Sequence, residues 1–189
     1  MQKVLLSTTY FGPIQWYQKL YRAEEVFIER CESFQKQTYR NRCLIATTNG
    51  LQTLTFPVER LSTANTIKDL RISDHGNWRH LHWNALKSAY GESPFFDYYQ
   101  DDIRPFFEQR WDYLFDFNEA IREKMCELLD IQPKVSLTQE YSLTSNLSPL
   151  TLRSLSKQMN APWYAPHTIK FQAAPCQRPE RKNTIQRFR

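Results

Sequence analysis

Glycine is scarce in this chain, with four in 189 residues. A P-loop needs several glycines within a few positions so that the backbone can cradle phosphates, and Gly12, Gly50, Gly76 and Gly91 exclude one. Cysteine is no richer. Cys31, Cys43, Cys126 and Cys176 form no C-x-x-C pair and read as free thiols. His80 and His82 lie two apart on a predicted helix and so point about 200° apart, which argues against a zinc site. No apolar run approaches the ~18 residues needed to span a bilayer. The opening MQKVLLS is followed by polar Thr8 and Thr9 and not by the core of a secretory leader, so the expectation is a cytoplasmic protein with no membrane span.

A general positive field is also missing, despite a sequence pI near 9.0. Residues 170–189 hold Lys170, Arg178, Arg181, Lys182, Arg187 and Arg189 against Glu180 alone, which accounts for the entire net charge of +5. A neutral body with a basic end lacks the footprint of a nucleic-acid-binding protein, and none of the usual modules is present, so nucleic acid is not expected as a partner.

What is present begins with a strand. Lys3–Ser7 centres on Val-Leu-Leu, a short apolar run suited to a strand buried on both faces and expected to be central in its sheet. Gly12 suits a tight turn and Pro13 the first position of a helix. Ile14, Tyr17, Leu20 and Tyr21 then recur at helical spacing to about Arg22, before a second strand over Val26–Ile28. Strand, helix and strand in so short a span predict a right-handed βαβ unit with parallel strands.

Thr48-Asn49-Gly50 between β-prone runs predicts a hairpin over 44–58. Ile67–Ile72 alternates like a half-exposed strand. Asn77 should cap a helix over Trp78–Tyr90 with Leu81, Ala85 and Leu86 inward, and Ser93-Pro94 should open another that restarts at Pro105. A helix over 117–129 and a last strand over 135–141 complete an α/β fold. Its N-terminal βαβ unit belongs to a mixed, largely parallel sheet, with a β-hairpin and with helices packed on the sheet. The aromatics between Phe95 and Phe117 are expected in that packing. One domain over 1–160 is followed by a basic tail over 161–189 without helical or strand periodicity.

Lys36–Arg42, KQTYRNR, concentrates three cations, two amides and a phenol just after the second strand. In open α/β sheets ligands collect at the carboxyl ends of the strands. The turn Thr8–Gln15 and the loop Cys31–Arg42 should therefore face each other there, with the amino end of the first helix beside Lys36, Arg40 and Arg42. The ligand this predicts is an anion.

The chain resembles the WbqC-like protein family. The matching pieces are LLSTTYFGPIQWYQKL, EEVFIE, KQTYRNRC, LTFPV, IKDLRIS, WRHLHWNALKSAYGESPFFDYY and LFDFNEAI, over roughly residues 3–141, with the departure placed after Tyr141. The resemblance implies a role in bacterial surface-polysaccharide or nucleotide-sugar metabolism, with acyl or aminoacyl transfer to a sugar as the suggested activity. Its pattern points to Tyr10, Gly12, Pro13, Gln15, Lys36, Tyr39, Arg40, Asn41, Arg42, Trp78, His82 and Tyr90. In this reading Lys36, Arg40 and Arg42 hold a phosphate or carboxylate of a nucleotide sugar or sugar phosphate, and Tyr39, Asn41 or His82 orient the acceptor. His82 is the candidate general base.

The sequence leaves any cofactor unknown. The alternatives are a non-catalytic binding or assembly protein of the same pathway and a degenerate nucleotidyltransferase-like fold, whose paired histidines at the helix start are replaced here by Gln15 and Tyr17. The change of character at the C-terminal end raises the further expectation of a truncated or frame-slipped gene end.

Overall fold

Val4, Leu5 and Leu6 form the buried middle of β1 (Lys3–Ser7) in a computed structural model that describes residues 3–59 and 66–139. β1 runs parallel to β2 (Glu25–Glu29), with Val4 opposite Val26 and Leu6 opposite Ile28. On its other edge β2 pairs, also in parallel, with a short strand over Val135–Leu137. β2 and not β1 is thus the central strand. β1 remains buried as an edge because the Trp16 indole, 1% exposed, donates to the Ser7 carbonyl at 3.0 Å. That bond holds α1 (Ile14–Arg22) against the end of the strand.

The turn between them departs from expectation in detail. Its left-handed residue is Phe11, with φ 43°, and not Gly12. Gly12 is needed for space, since a Cβ there would lie 2.6 Å from Thr9 Oγ1. Pro13 is the residue before the helix, and its carbonyl accepts the Trp16 N–H at 2.9 Å.

The hairpin turns at Thr48-Asn49, with Thr47 opposite Gly50, joining β3 (Arg42–Thr47) to β4 (Gly50–Thr55). Gly50 adopts φ 111°, which suits a residue without a Cβ. The segment expected as a strand over 67–72 is instead a 3-10 turn, Ile67–Asp69, followed by the two-residue β6 (Arg71–Ile72), which pairs with β5 (Val58–Glu59). The cause is tertiary. The amides of Ile67 and Lys68 bond the carbonyls of Glu32 and Arg30, tying the turn to the loop after β2. Val135–Leu137 is β7, which ends before Thr138 and Gln139, shorter than the expected 135–141 strand; residues 140 and 141 lie outside the described residues, as does the 161–189 tail.

α2 spans Trp78–Tyr90 as the sequence predicts. Asn77 precedes it in left-handed backbone without a side-chain capping bond, and Leu81 faces outward, 60% exposed. His82 takes the inward place beside Trp78. α3 (Phe96–Ile103) begins two residues after Pro94, because Ser93 and Pro94 are spent in the preceding turn. Pro105 opens α4 (Pro105–Glu108), and α5 (Leu114–Leu128) starts earlier than expected at Leu114. Leu114, Phe117 and Ile121 of α5 are buried.

The core is aromatic at its centre. The Tyr10 ring lies 4.9 Å from Phe56 and 5.7 Å from Phe117, and Phe56 lies 5.2 Å from Trp78. Truncating a ring such as Phe56 or Phe117 to alanine costs about 3–5 kcal/mol in cores of this kind. Not every aromatic joins them: Phe95, Tyr98 and Tyr99 of the α3 region stay exposed, contrary to the expected helix-on-sheet packing.

Candidate anion-binding cleft

The Lys36–Arg42 loop meets the first turn, as its place after β2 requires, but back to back and through buried groups. Tyr10 N–H donates to the Tyr39 carbonyl at 2.7 Å. Arg40, 2% exposed, forks onto Glu32, with Nε 2.9 Å from Oε1 and Nη2 in a shorter bond to Oε2. The remaining donors of Arg40 reach Thr38 Oγ1 and Ser7 Oγ, each at 3.2 Å. A bidentate, buried pair of this kind is geometrically demanding, and with the two hydroxyls it engages all three guanidinium nitrogens. The Arg40 carbonyl accepts from Asn118 Nδ2 at 2.8 Å, and Asn41 Nδ2 donates to the Phe56 carbonyl at 2.9 Å. The middle of the loop is therefore a clamp joining β1, the residue after β4, and α5.

The ends of the loop lead elsewhere. Lys36, Gln37 and Arg42 line a cleft of about 630 Å³ together with Asn41. Its opposite wall is the amino end of α2 and the turn before it, which bring His75, Gly76, Trp78 and His82. No Asp or Glu is among the lining residues, and neither Lys36 nor Arg42 has a carboxylate partner among the described residues. Arg42 is steadied by Nε donating to Thr55 Oγ1 at 3.3 Å. Two unneutralised cations facing the positive end of a helix dipole form a surface that favours an anion.

His82 is 5% exposed on this wall, and its Nδ1 lies 2.9 Å from the Tyr10 hydroxyl. Burial raises the Tyr10 phenol well above its usual range, so the hydroxyl keeps its proton and donates to the imidazole. Burial pushes the imidazole down to about 4, against a smaller pull upward from a hydrogen bond with the Thr55 backbone. His82 is therefore a neutral group that orients Tyr10. His75, exposed on the same cleft, is a residue that the sequence reading missed; its signal was a histidine in the turn just before a well-marked helix start. Cys43 next to Arg42 is no activated thiol, because burial pushes it up to about 12. Among the described residues no group of three or more His, Cys, Asp or Glu side chains could hold a metal ion. None of the described helices is long and apolar enough to cross a membrane.

A family model described as "WbqC-like protein family" matches residues 8–168, most of the chain. The chain belongs to the WbqC-like protein family. The match runs past Tyr141, further than the quoted motifs reach. Among curated proteins, the chain is 26% identical over 166 residues to uncharacterized protein Rv1507c of Mycobacterium tuberculosis (strain ATCC 25618 / H37Rv), covering 87% of this chain and 71% of that protein. No solved structure matches it.

Of the residues to which the WbqC-like resemblance points, Lys36, Asn41, Arg42, Trp78 and His82 share the cleft. Tyr10 stands behind it, 0% exposed, bonded to His82. Gly12, Pro13 and Gln15 do not line it, so the helix amino end present there is that of α2 and not of α1. Arg40 belongs to the clamp, and Tyr39 contributes its carbonyl to Tyr10. Tyr90, at the far end of α2, lines a separate apolar pocket and bonds the Ala46 amide at 3.1 Å.

Proposed function

We propose that the cleft binds a phosphate- or carboxylate-bearing small molecule, such as a nucleotide sugar or sugar phosphate, through Lys36, Arg42 and the amino end of α2. The observation that carries this reading is the composition of the cleft: two cations, two histidines and no carboxylate. In an enzyme of bacterial surface-polysaccharide or nucleotide-sugar metabolism, acyl or aminoacyl transfer to a sugar would proceed beside this anion. Trp78 and Asn41 position the acceptor, His75 exchanges the proton, and the Tyr10–His82 pair keeps the wall in register. Arg40 serves by holding the loop that presents Lys36 and Arg42.

A second reading, a non-catalytic binding protein of the same pathway, is favoured by a different observation. The Tyr10 phenol and the Cys43 thiol are both held in their protonated forms, and the buried His82 imidazole is taken up by the Tyr10 hydroxyl.

Thermal shift against nucleotide sugars, sugar phosphates and acyl or aminoacyl donors tests the cleft. Stabilisation by a phosphorylated sugar that disappears in Lys36→Ala/Arg42→Ala is the expected result; no stabilisation by any of them sinks the reading. Mass-spectrometric detection of an acylated sugar then separates the enzyme from the binding protein.

A further inference from the structure

The lining of the cleft is in part cationic and in part apolar. Lys36 and Arg42 supply the charge, and Arg42 is held to Thr55 across the hairpin. The apolar part is built by Pro57, Val58 and Leu81. Leu81 is 60% exposed, although it stands one turn along α2 from the buried Trp78. A single exposed leucine on an open surface needs no explanation, but this one forms part of the wall of a cleft.

The contacts beneath this wall bring its parts together and use up its polar atoms. The Pro57 carbonyl accepts the Ser73 N–H at 3.0 Å, and the Ser73 carbonyl accepts the Trp78 indole N–H at 2.9 Å. Pro57 is thereby tied to the first turn of α2, and Leu81 follows three residues after Trp78 on the same helix face. Phe56 is taken at both ends. Its amide donates to the Asn41 carbonyl at 3.1 Å, and its carbonyl accepts from Asn41 Nδ2. Pro57 has no N–H to offer, and Val58 pairs with Ile72 between β5 and β6.

This wall therefore presents carbon to a ligand, in the same cleft as two cations without carboxylate partners among the described residues. A sugar ring turned toward it loses water from its hydroxyls and gains no partner there. A hydrocarbon group turned toward it is removed from water at a gain proportional to its area.

We infer that the cleft selects an organic anion with an apolar body, an alkyl or aryl phosphate or carboxylate, with its anionic group at Lys36 and Arg42 and its hydrocarbon against Pro57, Val58 and Leu81. This rests on the anion-binding reading of the cleft and sharpens it. An acyl donor meets both parts of the lining, whereas a simple sugar phosphate meets only the cations.

The test titrates the full chain with methyl phosphate, butyl phosphate and glucose 1-phosphate, following binding by protein NMR. The two alkyl phosphates share their charge and hydrogen-bonding groups and differ only in methylenes. At a gain of about two- to four-fold per methylene, butyl phosphate should bind at least roughly eight-fold more tightly than methyl phosphate. Leu81→Ser, at an exposed position, should lower that preference by at least about two-fold, and Leu81→Ser with Val58→Thr should reduce it to about three-fold or less, with methyl phosphate unaffected. Lys36→Ala/Arg42→Ala should weaken both alkyl phosphates alike. Equal binding of the two, tighter binding of glucose 1-phosphate than of butyl phosphate, or a preference that survives both wall variants would each overturn the inference and leave the anion site standing. Failure of all three ligands to bind, or binding indifferent to the loss of Lys36 and Arg42, would overturn the anion reading and the inference with it.

Discussion

Two parts of one seven-residue loop have opposite fates. Thr38 and Arg40 are buried, and every Arg40 nitrogen is engaged by Glu32, Thr38 or Ser7. Lys36 and Arg42, four residues before Arg40 and two after it, meet no carboxylate among the described residues and line a cleft. The difference is made by Glu32, which lies four residues before this loop. A cation that finds a buried carboxylate becomes part of the scaffold, and one left without a partner is available to a ligand. Density of charge in a sequence does not separate these cases; the carboxylate does.

Three measurements would break or sharpen that comparison. The largest effect is expected at the clamp. Arg40→Ala leaves a buried Glu32 carboxylate with no cation, held only by the Ser7 hydroxyl at 3.2 Å, and urea unfolding should show a loss of about 3–5 kcal/mol. Replacing both partners with apolar residues, Arg40→Met with Glu32→Leu, should recover most of it. If Arg40→Ala costs no more than Lys36→Ala, the clamp is wrongly assigned.

Next is His82, whose folded value near 4 lies below the ordinary 6.5. The unfolded chain binds the proton more readily between these values, so stability is complete above pH 6.5 and falls as the pH drops toward 4. Between pH 7.5 and 5 this amounts to roughly 2 kcal/mol. Denaturation at the two pH values, compared with His82→Phe, should show a smaller fall in the variant; an equal fall in both would show that His82 is not the cause. The smallest effect is expected at the loop ends, where Lys36→Ala and Arg42→Ala should each change stability by less than about 0.5 kcal/mol. A larger loss would mean that these side chains too belong to the scaffold.

Much of the fold was legible where local signals agree with tertiary demands. The βαβ unit and the bounds of α1 and α2 follow from periodicity and from the turn residues beside them, and the hairpin from Asn49-Gly50. Legibility failed where distant backbone decides. Ile67–Ile72 alternates like a strand, yet its first amides are claimed by Glu32 and Arg30. Leu81 looks like a core residue by spacing and His82 like a surface one; the Tyr10 hydroxyl, 72 positions away in sequence, reverses them. The cleft was half legible for the same reason. Lys36, Asn41, Arg42, Trp78 and His82 were singled out from sequence, but nothing local distinguishes Arg40 from Arg42, and nothing in the first helix shows that the cleft faces α2 instead.

The pairing of β2 with β7 has a consequence for how the site comes into being. Val26 aligns with Val135 and Ile28 with Leu137, so every residue lining the cleft, from Phe34 to His82, lies on the stretch of chain that this pairing closes. The βαβ unit can assemble from neighbouring residues as soon as they are made. The third strand can join only once α5 has been synthesised, and contacts of such long separation form slowly. During that interval Glu32 and Arg40, only eight positions apart, can already find each other, giving the loop its shape before the opposite wall arrives.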